Sequence, residues 1–170
     1  MKTCPSCQGK RLQSIERDET ATVSFTYRGA SRMLAYVAKL PAIRCAACGA
    51  VFDEGWALER FELHVAQAAM ALGVTAGGIL RYARKALGRK ATELADILDV
   101  TAETISHWEN DRTEISRFAW VAIGDLVSDR ISGVDFTRAR LAAFRSPRLP
   151  TRRVKLSVGR DSSTRPTPAR

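Results

Sequence analysis

Between Glu19 and Leu40 the chain alternates apolar and polar residues; beyond Asp53 its apolar residues recur at helical spacing. In "ETATVSFTYRG", Ala21, Val23, Phe25 and Tyr27 fall on one face and Thr20, Thr22, Ser24 and Thr26 on the other, the pattern of a half-buried strand. Arg28-Gly29 can turn the chain, and "RMLAYVAKL" reads as the return strand, with Leu34, Tyr36, Ala38 and Leu40 alternating and Pro41 ending it. Asp53 is suited to cap a helix N-terminus, and Leu58, Phe61, Val65, Ala68, Ala69 and Leu72 predict a helix through about Leu72. "GVTAGG", with Gly73, Gly77 and Gly78, breaks that pattern and predicts a domain boundary.

Short helical segments are expected from Ile79 to about Val127. Ala91, Leu94, Ala95 and Leu98 form one stripe, Val100 sits at a turn, and Ile105 and Trp108 form the stripe of the next segment. The break from Asp99 to Ala102 contains Thr101, a good N-cap. Two short helices joined this tightly cross steeply, as in a helix-turn-helix. A further turn or two of helix is expected from Asp135 to Phe144, and positions 146–170, rich in Pro, Ser and Arg without apolar periodicity, are expected to be disordered. The expected class is α+β. A small zinc-binding β-hairpin domain (1–52) is followed by a connecting helix and linker (53–77), an all-α helix-turn-helix domain (78–145) and a basic tail (146–170).

Composition adds limits. A chain of 170 residues that is 45% apolar can hold one ordinary domain or two small ones. It has no apolar run of about 18 residues, so no membrane span is expected. "MKTCPSC" lacks the apolar core of a secretory signal. A cytoplasmic protein is expected, in which thiols stay reduced unless a metal takes them. The net charge of +9 is unevenly placed: positions 138–170 hold ten basic residues and one acidic residue, so the preceding 137 positions balance. A high pI here describes a basic arm on a neutral body.

The four cysteines form two C-x-x-C pairs, Cys4 with Cys7 in "CPSCQG" and Cys45 with Cys48 in "IRCAACGA". A redox dithiol would want a strand before it, a helix after it and a βαβ context, none of which surrounds Cys4 and Cys7. Two pairs joined by a hairpin suit a tetrahedral four-thiolate site for one Zn²⁺. The 37 residues between the pairs exceed ordinary zinc-ribbon spacing of about 15–20, and the hairpin accounts for the excess. Gly9 and Gly49 would let the backbone curl around the sulfurs. With its coordination shell closed the ion would be structural; the bland alternative is four unrelated buried thiols.

"ELADILDVTAETISHWEN" resembles the Cro/CI-type helix-turn-helix family through Glu93-Leu94-Ala95, Val100, Ile105-Ser106, Glu109 and Asn110. In that family the second helix enters the major groove. The resemblance implies that Ala102, Glu103, Thr104 and His107 face bases and that Thr101 and Asn110 lie near phosphates. Ala91 stands where the family often has Gln, and "NDRTEIS" lacks the Gly and Pro often found after the Asn. Taken in order, the "CPxC" start, the "FTYRG" strand, the second C-x-x-C, a connecting helix and this motif look like the MqsA family of antitoxins with its YgiT-type zinc finger. The resemblance covers roughly residues 1–130. It implies a zinc domain that neutralises a toxin protein (a ribosome-independent mRNA interferase), dimerisation through the C-terminal domain, and repression of the protein's own operon. Glu103 and His107 stand where that family more usually has a neutral amide and an Arg.

The expected partners are therefore double-stranded DNA, a second copy of the chain and a cognate toxin, with no membrane. The alternative is a stand-alone zinc-braced transcriptional regulator without a toxin. An enzyme is not expected, because no HExxH, Gly-rich phosphate loop or nucleophile–His–acid set is present. His64 reads as a surface histidine on the connecting helix, and Trp108 as core between the two motif helices. Arg81, Arg84, Lys85, Arg89 and Lys90 read equally as a phosphate-contacting edge or a solvated helix face.

Overall fold

The computed structural model describes residues 3–145 and Pro147; the predicted tail otherwise lies outside the described residues. Two 16-residue strands, β1 (Leu12–Tyr27) and β2 (Ala30–Cys45), form an antiparallel hairpin whose register runs from Tyr27 opposite Ala30 to Leu12 opposite Cys45. Arg28 (φ 51°) and Gly29 (φ 76°) make the two-residue turn, the doubly left-handed connection that matches strand twist. A short strand, β3 (Val51–Asp53), pairs with Ala42–Arg44, giving the order β1-β2-β3.

Six helices follow: α1 (Gly55–Met70), α2 (Gly77–Ala86), α3 (Ala91–Leu98), α4 (Ala102–Glu109), α5 (Arg117–Ser132) and α6 (Phe136–Arg145). The mixed α+β class and the alternation of the hairpin agree with expectation. Val23 and Phe25 are buried, with Ala21, Leu34, Tyr36, Ala38 and Leu40 packed beside them.

Several local expectations are corrected. Pro41 does not end the return strand: it lies within β2 opposite Glu16, just beyond the reach of β3, where a missing N–H can face an open edge. Asp53 is not the helix cap. It closes β3, with Arg17 Nε 2.9 Å from its carboxylate, and the cap position is Glu54, whose side chain makes no capping bond. The predicted stripe of α1 is also incomplete. Ala68 and Leu72 are exposed, while Ala57, Leu63, Ala66 and Met70 are buried beside Phe61, Val65 and Ala69, because α1 packs against α2, α5 and the hairpin at once.

Gly77 and Gly78, expected to break the pattern at a domain boundary, are the first residues of α2. A Cβ on Gly77 would lie 2.3 Å from the Trp108 carbonyl oxygen, and one on Gly78 would lie 2.0 Å from that of Ser24. The start of α2 is thus pressed between the hairpin near its tip and the end of α4. One apolar cluster runs through this contact, from Val23 and Phe25 through Phe61, Ile79 and Leu80 to Leu94, Ile105, Ile123 and Val127. Each of the larger of these side chains contributes about 1.5–3 kcal/mol by leaving water.

Candidate metal centre and nucleic-acid interface

Hairpin register brings the cysteine pairs together. Leu12 opposite Cys45 fixes the open end of the hairpin, and Ala46 N–H donates to the Arg11 carbonyl at 2.9 Å, so the segment before β1 and the loop after β2 lie side by side. The two loops repeat one another. Cys4 N–H bonds the Gly9 carbonyl and Gln8 N–H the Cys4 carbonyl; Cys45 N–H bonds the Ala50 carbonyl and Gly49 N–H the Cys45 carbonyl. In each, the residue after the second cysteine is left-handed, Gln8 at φ 58° and Gly49 at φ 74°.

The two glycines singled out from the sequence therefore do different work. Gly49 supplies a positive φ. Gly9 supplies room: a Cβ there would sit 3.2 Å from the Cys7 sulfur and 3.5 Å from the Cys45 sulfur.

All four thiols are free and their Sγ atoms lie within 4.8 Å of one another. Cys4 to Cys48 is 3.7 Å and Cys7 to Cys45 is 3.6 Å, each a contact between loops. A tetrahedral ion with Zn–S bonds of about 2.3 Å needs S···S edges of about 3.8 Å, so the donor set fits such an ion. The electrostatics agree. Backbone N–H groups of Cys48 and Ala47 aim at the Cys45 sulfur and lower its pKa to about 6. At Cys7 the Gly9 N–H pulls the other way from the sulfurs of Cys48, Cys45 and Cys4, whose crowding pushes the thiol up to about 12. One thiolate forms readily and a neighbouring one does not, which is the situation a cation at the centre resolves. Cys4 and Cys45 are buried, Cys7 and Cys48 exposed.

The helical half places its predicted residues as follows. Leu94 and Ala95 of α3 and Ile105 and Trp108 of α4 are buried against each other's helix and the core. Asp99, at φ 58°, ends α3 in the left-handed region. Thr101 caps α4, its hydroxyl accepting from Thr104 N–H at 3.1 Å. Thr101 and Glu103 are exposed, and Ala102, Thr104 and His107 are half-buried. Glu103 and His107 are neighbours one turn apart, Oε1 to Nε2 at 3.7 Å. Asn110 is exposed, but its side chain is occupied at both ends: Nδ2 donates to the Ser106 carbonyl and Oδ1 accepts from Arg81, each at 2.7 Å. His64 is exposed on α1, and Trp108 is core.

Sequence reading missed the network that fixes the end of α4. Glu109 is 8% exposed. Arg84 grips it with two nitrogens, at 2.5 and 3.0 Å, and the pair raises the Arg84 pKa. Arg81 donates to the Glu109 carbonyl at 2.8 Å, and Asp111 accepts from Gly77 N–H at 2.6 Å. Two members of the candidate basic edge are thus tied into the fold. The only local signal was one arginine per helical turn in α2; nothing nearby names a partner 25 residues away.

Residues 80–123 match a helix-turn-helix family model, that of a DNA-binding regulator domain and not of an enzyme family. The match spans α2, α3, α4 and the start of α5. No curated protein and no solved structure matches the chain. No helix among the described residues is long and apolar enough to cross a membrane.

Proposed function

We propose that this protein is a DNA-binding repressor braced by one structural Zn²⁺, and that it serves as the antitoxin of a toxin–antitoxin pair. The observation that carries the DNA-binding part is the mounting of α4. Its N-terminus is capped by Thr101, its inner face is anchored by Ile105 and Trp108, and its end is clamped through Glu109, so Glu103, Thr104 and His107 stand on one rigid outward surface, while Ala102 packs partly against the core. A recognition helix reads bases with such residues in the major groove while side chains at its ends settle on phosphates. Thr101, whose hydroxyl already caps α4 and lies 2.9 Å from the Thr104 hydroxyl, would turn its O–H to the phosphate; Asn110 would take that role through the N–H not given to Ser106.

Paired half-sites call for paired recognition helices, so the protein acts as a homodimer. Phe118 and Val121 support a dimer face on α5: they are 89% and 60% exposed and stand one turn apart. Cys4, Cys7, Cys45 and Cys48 hold the ion, whose contribution is to pin the open end of the hairpin. The toxin part rests on the order of cysteine pairs, hairpin, connecting helix and helix-turn-helix, which resembles the MqsA antitoxins.

A second reading is favoured by the burial of Val23 and Phe25 in the helical core. There the zinc-bearing hairpin is a brace of a stand-alone regulator and meets no toxin. Affinity capture of the full-length tagged protein from its own cells separates the two. A small stoichiometric partner, lost when Cys45 is changed to Ser, supports the antitoxin. Recovery of only the homodimer and DNA overturns it in favour of the stand-alone regulator.

A further inference from the structure

The C-terminal end of α4 is held to α2 at three successive residues, each by a different kind of bond. Arg84 answers the Glu109 carboxylate with two nitrogens, at 2.5 and 3.0 Å. Asp111, at φ 54°, accepts from the Gly77 N–H at 2.6 Å and so fixes the backbone just past the helix. Between them, Arg81 spends both N–H bonds of one terminal nitrogen on α4. One reaches the Glu109 carbonyl at 2.8 Å and the other the Asn110 Oδ1 at 2.7 Å. The Arg81 Nε lies 3.6 Å from the Glu109 carboxylate. Arg84 therefore carries the charge pairing with Glu109, and the close bonds of Arg81 serve another purpose.

Asn110 is exposed, and a side-chain amide can be turned two ways, exchanging its oxygen and its nitrogen. As it stands, Oδ1 accepts from Arg81 while Nδ2 donates to the Ser106 carbonyl at 2.7 Å. Turned over, Nδ2 would face a guanidinium N–H and Oδ1 would face a carbonyl, setting donor against donor and acceptor against acceptor. The Ser106 carbonyl favours the observed orientation, and the charged donor of Arg81 enforces it, because hydrogen bonds from an ionised group are about twice as strong as neutral ones. What Asn110 then has left to give is its second Nδ2 N–H. A donor in that place suits an anionic oxygen, whereas the amide oxygen would repel one. We propose that Arg81 is a positioning residue for DNA binding: it locks the Asn110 amide so that the second Nδ2 N–H, and not Oδ1, meets a backbone phosphate at the end of α4. The proposal rests on the DNA-binding reading of α4, and it explains why an arginine already outcompeted for Glu109 is held so closely to the residue after it.

The test measures binding of the full-length protein to two duplexes of equal length, one from upstream of its own gene and one of mixed sequence. Thermal melting of each variant sets a temperature at which all are folded. Asn110→Ala should weaken both duplexes by the same factor, about tenfold, because a phosphate contact carries no sequence information. Arg81→Met should weaken both about fivefold in the parent but no more than about twofold in the Asn110→Ala background, since an orientation has no value once the amide is gone. Asn110→Asp keeps an acceptor for Arg81 but puts an oxygen where the N–H was, and should bind both duplexes more weakly than Asn110→Ala. An equal loss from Arg81→Met in the two backgrounds would make Arg81 a cation or a structural tie in its own right and overturn the positioning role. Asn110→Ala binding like the parent, or Asn110→Asp binding at least as well as Asn110→Ala, overturns it too, while the α4 reading stands. If the parent protein binds neither duplex, the reading of α4 falls and the positioning role falls with it.

Discussion

Gly78 meets Ser24 backbone to backbone: a Cβ on Gly78 would lie 2.0 Å from the Ser24 carbonyl oxygen and 3.0 Å from the Phe25 Cα. Both neighbours are main chain of a paired strand and cannot swing aside. Gly78→Ala should therefore push the hairpin off α2 and cost about 3 kcal/mol, the upper range for overpacking. Thermal unfolding of Gly78→Ala beside Gly124→Ala checks this. A Cβ at Gly124 would meet only the Met70 methyl, at 3.9 Å, so that variant should melt close to the parent.

The Arg84–Glu109 pair predicts an asymmetric mutational pattern. Glu109→Gln leaves the Arg84 guanidinium, itself 14% exposed, facing a neutral amide, and should destabilise by about 3 kcal/mol. Arg84→Met/Glu109→Leu removes both charges and should recover much of that loss. A double-mutant cycle by urea unfolding measures the coupling, and an additive result would show the pair to be energetically idle.

Removing metal should loosen the open end of the hairpin while leaving the helices folded, because Val23 and Phe25 anchor the other end in their core. Amide exchange before and after chelation should show lost protection around Cys4–Gly9 and Cys45–Ala50 and retained protection in α2 to α5. Metal affinity should rise with pH. Bound sulfurs are thiolates; Cys45, lowered to about 6, is already one at pH 7, whereas Cys7, raised to about 12, must give up its proton. Each proton released adds about tenfold per pH unit. A competition titration from pH 6 to 8 reads the slope.

In the metal-free protein the same two groups act in opposite directions. The lowered Cys45 pKa adds stability as pH rises from about 6 to 9, and this is lost as pH falls back through 6. The raised Cys7 pKa subtracts stability as pH rises above 9. Chelated protein melted across pH 6 to 10.5 should be most stable near pH 9.

On α4, Glu103 and His107 should separate by kind of effect. Glu103 is 78% exposed and repels phosphate, so Glu103→Gln should tighten binding to the mixed-sequence duplex by roughly two- to tenfold. Thr104→Ala or His107→Ala should cost about 1–3 kcal/mol on the upstream duplex and little on the mixed one. Equal losses on both duplexes would remove these residues from base readout.

Phe118→Asp should convert the proposed dimer to monomer without lowering the monomer's stability, because the side chain is 89% exposed. Sedimentation at micromolar concentration reads the mass; an unchanged dimer would move the interface off this face of α5.

Much of this fold was legible in local pattern. A period of two set the faces of the hairpin, helical spacing set α3 and α4, and Thr101 marked the start of α4 because a cap needs only its next three residues. The cysteine site was legible for the same reason: C-x-x-C spacing fixes each half locally, and the hairpin register supplies the rest.

What tertiary structure alone decided are the contacts whose partners lie far apart in sequence. Asp53 reads as a helix cap but serves as the end of a strand facing Arg17, because pairing with Ala42 takes its backbone first. Gly77 and Gly78 read as breaks at a domain boundary but serve as a close backbone junction with Trp108 and Ser24, since a missing side chain permits both looseness and intimate contact. Arg84 reads equally as a phosphate contact or a solvated charge but is locked onto the buried Glu109. Period and composition report which face of an element turns inward; they carry no information about which distant element it will meet.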